Sequence, residues 1–506
     1  MKKPLIYLLF ICIFWQIQAD LPVHCHKEDI LGEWVFELTS IQSSENGFVS
    51  CGHDSPDKAA TSYLAFSKEF KAESNINLEL INDFSAKSKD NKNNANGTWN
   101  LIYDEGFEIE LNGIKYFTFF GYTYNHNDPD KSVSHCNKTV VGWYLQTDSQ
   151  KKGCFRGKKA NSNEEFLEEI DLDSQVAEEK KSKKFLKSSK SFISKETHEN
   201  ILKSLNEKEK SWEADLNPMF AEMSLFEMNK FAGRKKFSTQ KNKQNDYRNF
   251  AREDVSDLPK QLDWKSLVQE SRKQGVCGSC YTFSTMEMAQ ARLKKKYNET
   301  VKLSVQYSLN CNYYNQGCDG GYPTLVSKFG SEFQFVEESC LKYTGRNGKC
   351  SDACDISTLE QVYKIKNYWF VGGHYGKCSE RAMMVELQNN GPFVVSFEPS
   401  REFMYYKKGI YHSVLAANWI LDGKEQPSWE KVDHSVLLVG WGEENGEKYW
   451  LIQNSWGSDW GEDGFFRIRR GTDESGIESM GEAADVEIVK REKTIFKKKG
   501  NEFFSK

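Results

Sequence analysis

Cys277 and Cys280 stand three positions apart in "QGVCGSCYTF", residues 274–283. Such a pair can be a redox couple, a metal knuckle, two disulfide halves, or one disulfide half beside a reactive thiol. Phe283, Met286, Ala289 and Leu293 follow on one helical face, and Lys294, Lys295 and Lys296 stand where a helix C-terminus favours cations. Cys280 is therefore expected at a helix N-terminus, where the dipole and free N–H groups favour a thiolate. A thiolate nucleophile needs an imidazole, and "DHSVLLVGWG" places His434 at the head of an apolar strand. "YWLIQNSWG" places Asn454 at the end of another, where its amide would hold the imidazole in the working tautomer. Gln274 stands six residues before Cys280. Its side-chain amide, with the backbone N–H of Cys280, would form an oxyanion hole.

Taken singly, each residue has a plain structural use: a histidine at a strand start, an asparagine at a turn, cysteines as disulfide halves. Together, in this order, they point to acyl transfer through a cysteine. A redox or zinc reading needs both sulfurs in one site. No second Cys-x-x-Cys follows, and Gly-Ser between the two cysteines is unlike a metal knuckle.

The elements that must position these residues occupy only part of the 506-residue chain, which has room for two or three domains. The start, Met1-Lys2-Lys3 with an apolar run from Leu5 to Trp15 and Ile17-Gln18-Ala19, reads as a secretory signal peptide cut after Ala19. The run is short of the ~20 residues a span needs, and no later stretch replaces it. Of the thirteen cysteines, all but Cys12 lie beyond this leader, and in an exported chain most should be paired. Asn96, Asn137 and Asn298 open glycan acceptor patterns. The net charge of −5 gives no reason to expect a nucleic acid partner.

Residues 20–160 read as an all-β domain. "FEIELNGIKYFTFF" alternates around Asn112-Gly113, the strongest short hairpin signal, whereas the polar stretch from Ser85 to Gly97 reads as a loop. Cys25, Cys51, Cys136 and Cys154 fall in this domain, and sequence leaves their three pairings open. Residues 161–257 lack cysteine and are dense in Lys, Glu and Ser, as a cleavable segment would be. Within them Phe220, Met223, Phe226 and Met228 are spaced for a helix that packs on a core or lies on an enzyme. Residues 258–490 carry eight cysteines and the chemistry, and residues 491–506 form a basic, solvated tail.

Residues 258–485 resemble the papain-like cysteine peptidases through "LDWKS", "QGVCGSCYTF", "LSVQYSLNC", "GCDGGYP", "NGPFVVSF", "DHSVLLVGWG" and "NSWGSDWGEDGFFRIRRGTDESGIES". Tyr281 after the nucleophile, "WFVGGHYGKC", and the N-terminal "DLPVHCHKEDILGEWVF" and "YDEGFEIELNGIKYFTFF" are similar to the dipeptidyl peptidase I (cathepsin C) branch. That branch carries an extra all-β exclusion domain. The resemblance implies an α+β fold: a two-lobed papain-like domain, with a helical lobe bearing Cys280 and a β-barrel-like lobe bearing His434 and Asn454, preceded by the exclusion domain.

By the same resemblance the reaction is removal of dipeptides from free N-termini of peptides and proteins. The exclusion domain blocks the cleft, and the carboxylate of Asp20, once exposed by signal cleavage, binds the substrate α-ammonium. Gly320, Gly321 and Trp456 are assigned to substrate binding. The implied disulfides are Cys25–Cys136, Cys51–Cys154, Cys277–Cys318, Cys311–Cys350 and Cys340–Cys354, with Cys378 left as a buried thiol. Cutting into exclusion, heavy and light chains is implied, near Leu258 and within residues 415–433, as are assembly into a homotetramer and residence in a lysosome or other acidic vacuole, or secretion. No cofactor or metal is required. The branch binds chloride partly through a tyrosine hydroxyl, but Phe370 stands at that position and Thr324 at a neighbouring tyrosine, which argues against chloride dependence. The competing readings are an ordinary papain-like endopeptidase and a non-catalytic binding protein on the same fold.

Overall fold

The computed structural model describes residues 23–42, 49–53, 70–90, 96–123, 133–162, 193–208, 211–223, 227–228, 231, 254–413, 420–421, 424–425 and 434–490. Asp20, the leader, the Lys-rich residues 178–191, Phe226, most of residues 415–433 and the basic tail lie outside them.

Among the described residues nine strands build the N-terminal domain: β1 (Gly32–Leu38), β2 (Ser74–Leu80), β3 (Ser85–Ser88), β4 (Asn96–Ile102), β5 (Gly106–Leu111), β6 (Ile114–Thr123), β7 (Val133–Thr139), β8 (Gly142–Gln146) and β9 (Lys151–Lys159). On β1, Trp34, Phe36 and Leu38 alternate with more exposed neighbours, the pattern of a strand with one buried face. Because β1 pairs with both β2 and β9, and β6 with both β5 and β8, the sheet closes into a barrel. Aromatic rings fill it: Phe36 lies 5.0 Å from Phe155 and 6.1 Å from Phe107. Gly157, opposite Phe36, makes room, since a Cβ there would stand 2.6 Å from that ring. Asn112 and Gly113, at φ of 54° and 72°, form the two-residue turn between β5 and β6 that their sequence signals. The loop expected from Ser85 to Gly97 is corrected at both ends. Ser85–Ser88 is β3, paired with β2 and β4, and Asn96-Gly97 starts β4. Backbone pairing decides there, because Ala86 is the only buried residue of β3.

The segment after the barrel reaches the C-terminal domain through α1 (Lys195–Lys208) and β10 (Trp212–Ala214). The helix expected around Phe220 is only one turn, Pro218–Ala221, capped by Asn217. Phe220 and Phe231 turn toward the peptidase domain instead of continuing a regular face.

The C-terminal domain holds α2 (Cys280–Tyr297), α3 (Val305–Cys311), α4 (Pro323–Glu332), α5 (Glu380–Asn390), β11 (Gln361–Phe370), β12 (Phe393–Phe397), β13 (Tyr406–Tyr411), β14 (His434–Glu444), β15 (Glu447–Gln453), β16 (Phe465–Arg469) and β17 (Gly481–Lys490). Its sheet runs β10-β13-β16-β15-β14-β12-β17-β11. Helix α2 packs against α4 on one side and against β14 and β17 on the other, so it lies between a helical lobe and a β-rich lobe. The predicted helical face is buried: Phe283, Met286, Ala289 and Leu293 are at most 1% exposed. Asn298, left-handed at φ 55°, ends the helix after its three lysines.

Candidate active site

Cys280 is the first residue of α2. Its backbone N–H is one of the four that an α-helix leaves without an intrahelical acceptor. Cys277 is bonded to Cys318, which removes the redox and metal-knuckle readings of the Cys-x-x-Cys pair. The other pairs are Cys25–Cys136, Cys51–Cys154, Cys311–Cys350 and Cys340–Cys354, and Cys280 and Cys378 keep their thiols. The Cys277–Cys318 bond and the Gly278 N–H to Cys318 carbonyl hydrogen bond (2.9 Å) hold the loop before Cys280 against the turn that leads to Gly320 and Gly321. Tyr281 adds a third tie, its hydroxyl donating to the Gly317 carbonyl at 2.9 Å.

The register Leu437↔Gln453 sets the start of β14 beside the end of β15, which brings His434 to Asn454. His434 Nε2 lies 2.9 Å from Asn454 Oδ1, which also accepts the Ser455 N–H at 2.8 Å. An acceptor at that position selects the tautomer with the proton on Nε2. Nδ1 is left as the basic nitrogen, and it is buried with no hydrogen-bond partner. Burial pulls the His434 imidazole down to about 4, against the opposing hydrogen bond to Asn454, so the ring is held neutral.

Gln274 is fully buried and engaged at every polar atom. Its N–H donates to the Ser455 carbonyl (2.9 Å) and its carbonyl accepts from the Tyr343 hydroxyl (2.6 Å). Its Oε1 accepts from Ser455 Oγ (2.6 Å), and Nε2 donates one hydrogen to the Cys277 carbonyl (3.1 Å). The second Nε2 hydrogen remains for a substrate oxyanion. The segment before α2 and the end of β15 are thus joined through Gln274 and Ser455, the neighbour of Asn454.

Trp456 stacks on the His434 ring at 5.2 Å. Phe220 and Phe231 meet its indole in T-shaped contacts at 5.5 and 6.3 Å, and its Nε1 donates to the Phe231 carbonyl at 3.1 Å. The segment between the two domains therefore lies on a residue predicted to meet substrate. On the other side, Tyr322, directly after Gly320 and Gly321, meets the barrel residue Tyr103 at 4.3 Å. The Tyr103 hydroxyl donates to the Glu482 carboxyl, whose other oxygen accepts from Thr324 Oγ1 at 2.8 Å. Sequence reasoning missed Tyr103 and Glu482. They are 379 positions apart, and no local pattern marks either one. Of the glycan acceptors, Asn96 and Asn298 are exposed, whereas Asn137 is half-buried and donates to Ser162 Oγ at 3.2 Å.

Comparison with known proteins gives matches over both domains. The pattern of the papain family cysteine protease fits residues 258–484, and that of the cathepsin C exclusion domain fits residues 20–159. The protein named "Cathepsin C" from Schistosoma mansoni is 31% identical over 482 residues, covering 92% of this chain and 94% of its own. "Dipeptidyl aminopeptidase 1" of Plasmodium falciparum is 26% identical over 669 residues, covering 94% of each. Among solved structures, digestive procathepsin L 3 of the Tenebrio molitor larval midgut matches with a TM-score of 0.45 and 24% identity, over 62% of this chain and 99% of that one.

Proposed function

The chain belongs to the cathepsin C family of papain-type cysteine peptidases, and from that premise we propose how it acts as a cysteine dipeptidyl peptidase. His434 Nδ1 takes the Cys280 proton, and the thiolate attacks the carbonyl carbon of the second substrate residue. The oxyanion is held by the Cys280 N–H and the free Nε2 hydrogen of Gln274. The imidazolium returns its proton to the leaving nitrogen as the peptide bond breaks, which leaves a dipeptidyl thioester on Cys280. Water, deprotonated by His434, attacks the thioester, and the dipeptide leaves as the thiol reforms. Asn454 keeps the imidazole in the tautomer that both steps need.

Length selection is the task of the barrel. The carboxylate of Asp20 pairs with the substrate α-ammonium, and the barrel denies the cleft to longer N-terminal extensions. The observation that supports this reading most is the seating of Tyr103 from the barrel against Tyr322, next to Gly320 and Gly321. The test is hydrolysis of two matched dipeptidyl substrates, one with a free and one with an acetylated N-terminus, with Cys280→Ala as control. Turnover of the free substrate alone, absent in the control, is expected. Equal turnover of both would return the endopeptidase reading, and turnover of neither by the processed protein the non-catalytic one.

The chemistry needs no cofactor. A chloride does not fit the two positions considered for it. Phe370 offers no hydroxyl, and the Thr324 hydroxyl is committed to the Glu482 carboxyl. Rates should therefore be unchanged when chloride is exchanged for acetate at constant ionic strength. An exported precursor, trimmed within residues 161–257 and working in an acidic compartment as a tetramer, is the form consistent with the family. Among the described residues no helix is long and apolar enough to cross a membrane.

A further inference from the structure

Helix α4 starts without a cap of its own. Tyr322 stands before it and makes no capping bond, and Pro323, the first helical residue, has no N–H to offer. The Leu325 N–H is taken by the Tyr322 carbonyl at 3.0 Å. The Thr324 N–H is then the donor of the first turn that must find an acceptor elsewhere. It finds one 158 positions away: the Glu482 carboxyl takes the Thr324 N–H and, at 2.8 Å, the Thr324 hydroxyl.

A third donor comes from the other domain. The Tyr103 hydroxyl of the barrel donates to the remaining carboxyl oxygen. Glu482, Thr324 and Tyr103 are 4%, 5% and 8% exposed, so these polar groups are satisfied by one another. Glu482 forms no ion pair with a lysine, arginine or histidine among the described residues, and burial raises its carboxyl to about 7, against the hydrogen bonds from Tyr103 and Thr324. Burying such a group is costly, yet its removal would leave three buried donors unpaired. Its place in the sheet is informative. Glu482 on β17 stands directly opposite Phe370 of β11. It therefore joins Phe370 and Thr324, the two positions weighed above for chloride.

We propose that the Glu482 carboxyl is a built-in substitute for a bound anion, filling the site formed by the Thr324 N–H, the Thr324 hydroxyl and the Tyr103 hydroxyl. It caps α4 and holds the barrel to that helix without a diffusible ion. This rests on the reading that activity needs no chloride, and gives that reading a cause. A latent site follows. With Glu482 shortened to alanine, three buried donors at the positive end of a ten-residue helix would face the space of one carboxyl. That donor set suits a small monovalent anion such as chloride or formate. The route to the active site is short, because Tyr103 packs on Tyr322 at 4.3 Å and Tyr322 directly follows Gly320 and Gly321. Glu482 is a positioning residue and touches no reacting atom.

The experiment compares the full processed protein with Glu482→Ala, Glu482→Gln and the double variant Glu482→Ala/Thr324→Val. Each is measured in sodium gluconate, chloride and formate at one ionic strength. The readouts are KM on a free-amino dipeptidyl substrate and the melting temperature relative to wild type in the same salt. Wild type and Glu482→Gln should behave alike in all three salts. In gluconate, Glu482→Ala should show a lower melting temperature and a KM raised about tenfold, roughly 1.4 kcal/mol, the effect of one unsatisfied buried donor. Chloride and formate should restore both, along a saturable curve. Adding Thr324→Val removes one donor and should raise the half-saturating anion concentration about tenfold. If Glu482→Ala folds poorly, its refolded yield in chloride against gluconate reads the same site. No restoration of Glu482→Ala by either ion would overturn the proposal and leave the carboxyl a structural acceptor only. Saturable activation of the wild type by chloride would overturn it together with the chloride reading above. No turnover in any salt, with an anion-dependent melting temperature in Glu482→Ala alone, would sustain the site and reject the peptidase reading instead.

Discussion

At the scale of single residues, Gln274 carries a prediction that separates binding from chemistry. The Ser455 and Cys277 contacts pin its side-chain amide, the Tyr343 hydroxyl holds its backbone carbonyl, and only one Nε2 hydrogen is left to meet an oxyanion. Gln274→Ala should lower kcat by ~10²–10³-fold while KM changes little, as loss of one oxyanion donor does. Equal alkylation of Cys280 in wild type and variant would show that the nucleophile is intact. His434 gives a pH prediction. Burial holds its folded pKa near 4, below the ordinary 6.5, so between those values the folded ring stays neutral while an unfolded one is charged. Its contribution to stability is present above about 6.5 and is lost as pH falls toward 4. The same burial is completed by Trp456 under Phe220 and Phe231. Removing that segment should raise the His434 pKa and speed alkylation of Cys280 near pH 5, measured on the protein before and after processing. The placements of Cys280, His434 and Asn454 were legible because each sits in a short motif with a local signal: a cysteine at a helix start, a histidine at a strand start, an asparagine after a strand end.

At the scale of elements, α4 and the barrel are joined by buried charges. Lys328 Nζ meets Glu108 Oε1 at 3.0 Å and Glu332 Oε1 at 2.8 Å, and Lys152 Nζ meets Glu332 Oε2 at 2.5 Å. Tyr368 donates to Glu108 at 2.7 Å. Burial pushes the Glu332 carboxyl up, but Lys328 and Lys152 more than reverse this and hold it at about 2. Burial pulls Lys328 down, yet Glu108 and Glu332 carry it above the ordinary lysine range. A depressed carboxylate stabilises the fold above its unfolded pKa and loses that contribution only as pH falls through its folded value. The Glu332 pairing should thus survive at pH 4–5 and fail near 2. Lys328→Ala leaves buried carboxylates short of a partner and should cost ~3–5 kcal/mol, read from melting curves across this pH range. From sequence, Lys328 and Glu332 are an ordinary i,i+4 surface pair, and nothing local says that a barrel covers them. The turn at Asn112-Gly113 was legible because its backbone demands those residues. Strand β3 was not, since its polar sequence is ordered by pairing with β2 and β4. The helix expected around Phe220 also failed, because Phe220 answers to Trp456 and not to its own helical face.

At the scale of the molecule, two folds that are each legible in sequence make one specificity device through contacts that are not. An all-β domain could be read from strand alternation and turns, and the two-lobed domain was implied by the motifs that resemble papain-like peptidases; the closure of the nine strands into a barrel was not legible. Their docking through Tyr103, Glu108 and Lys152 brings together residues 161 to 379 positions apart. No spacing rule reaches that far. Such docking is the proposed source of exopeptidase character in a site whose local chemistry suits any peptide bond. The most direct measurement is the mass spectrum of products released over time by the processed protein from one long peptide with a free N-terminus. Successive dipeptides, read in order from that end, are predicted. Internal fragments from the earliest times would contradict the account, leaving the Cys280 chemistry but removing the barrel's role in measuring length.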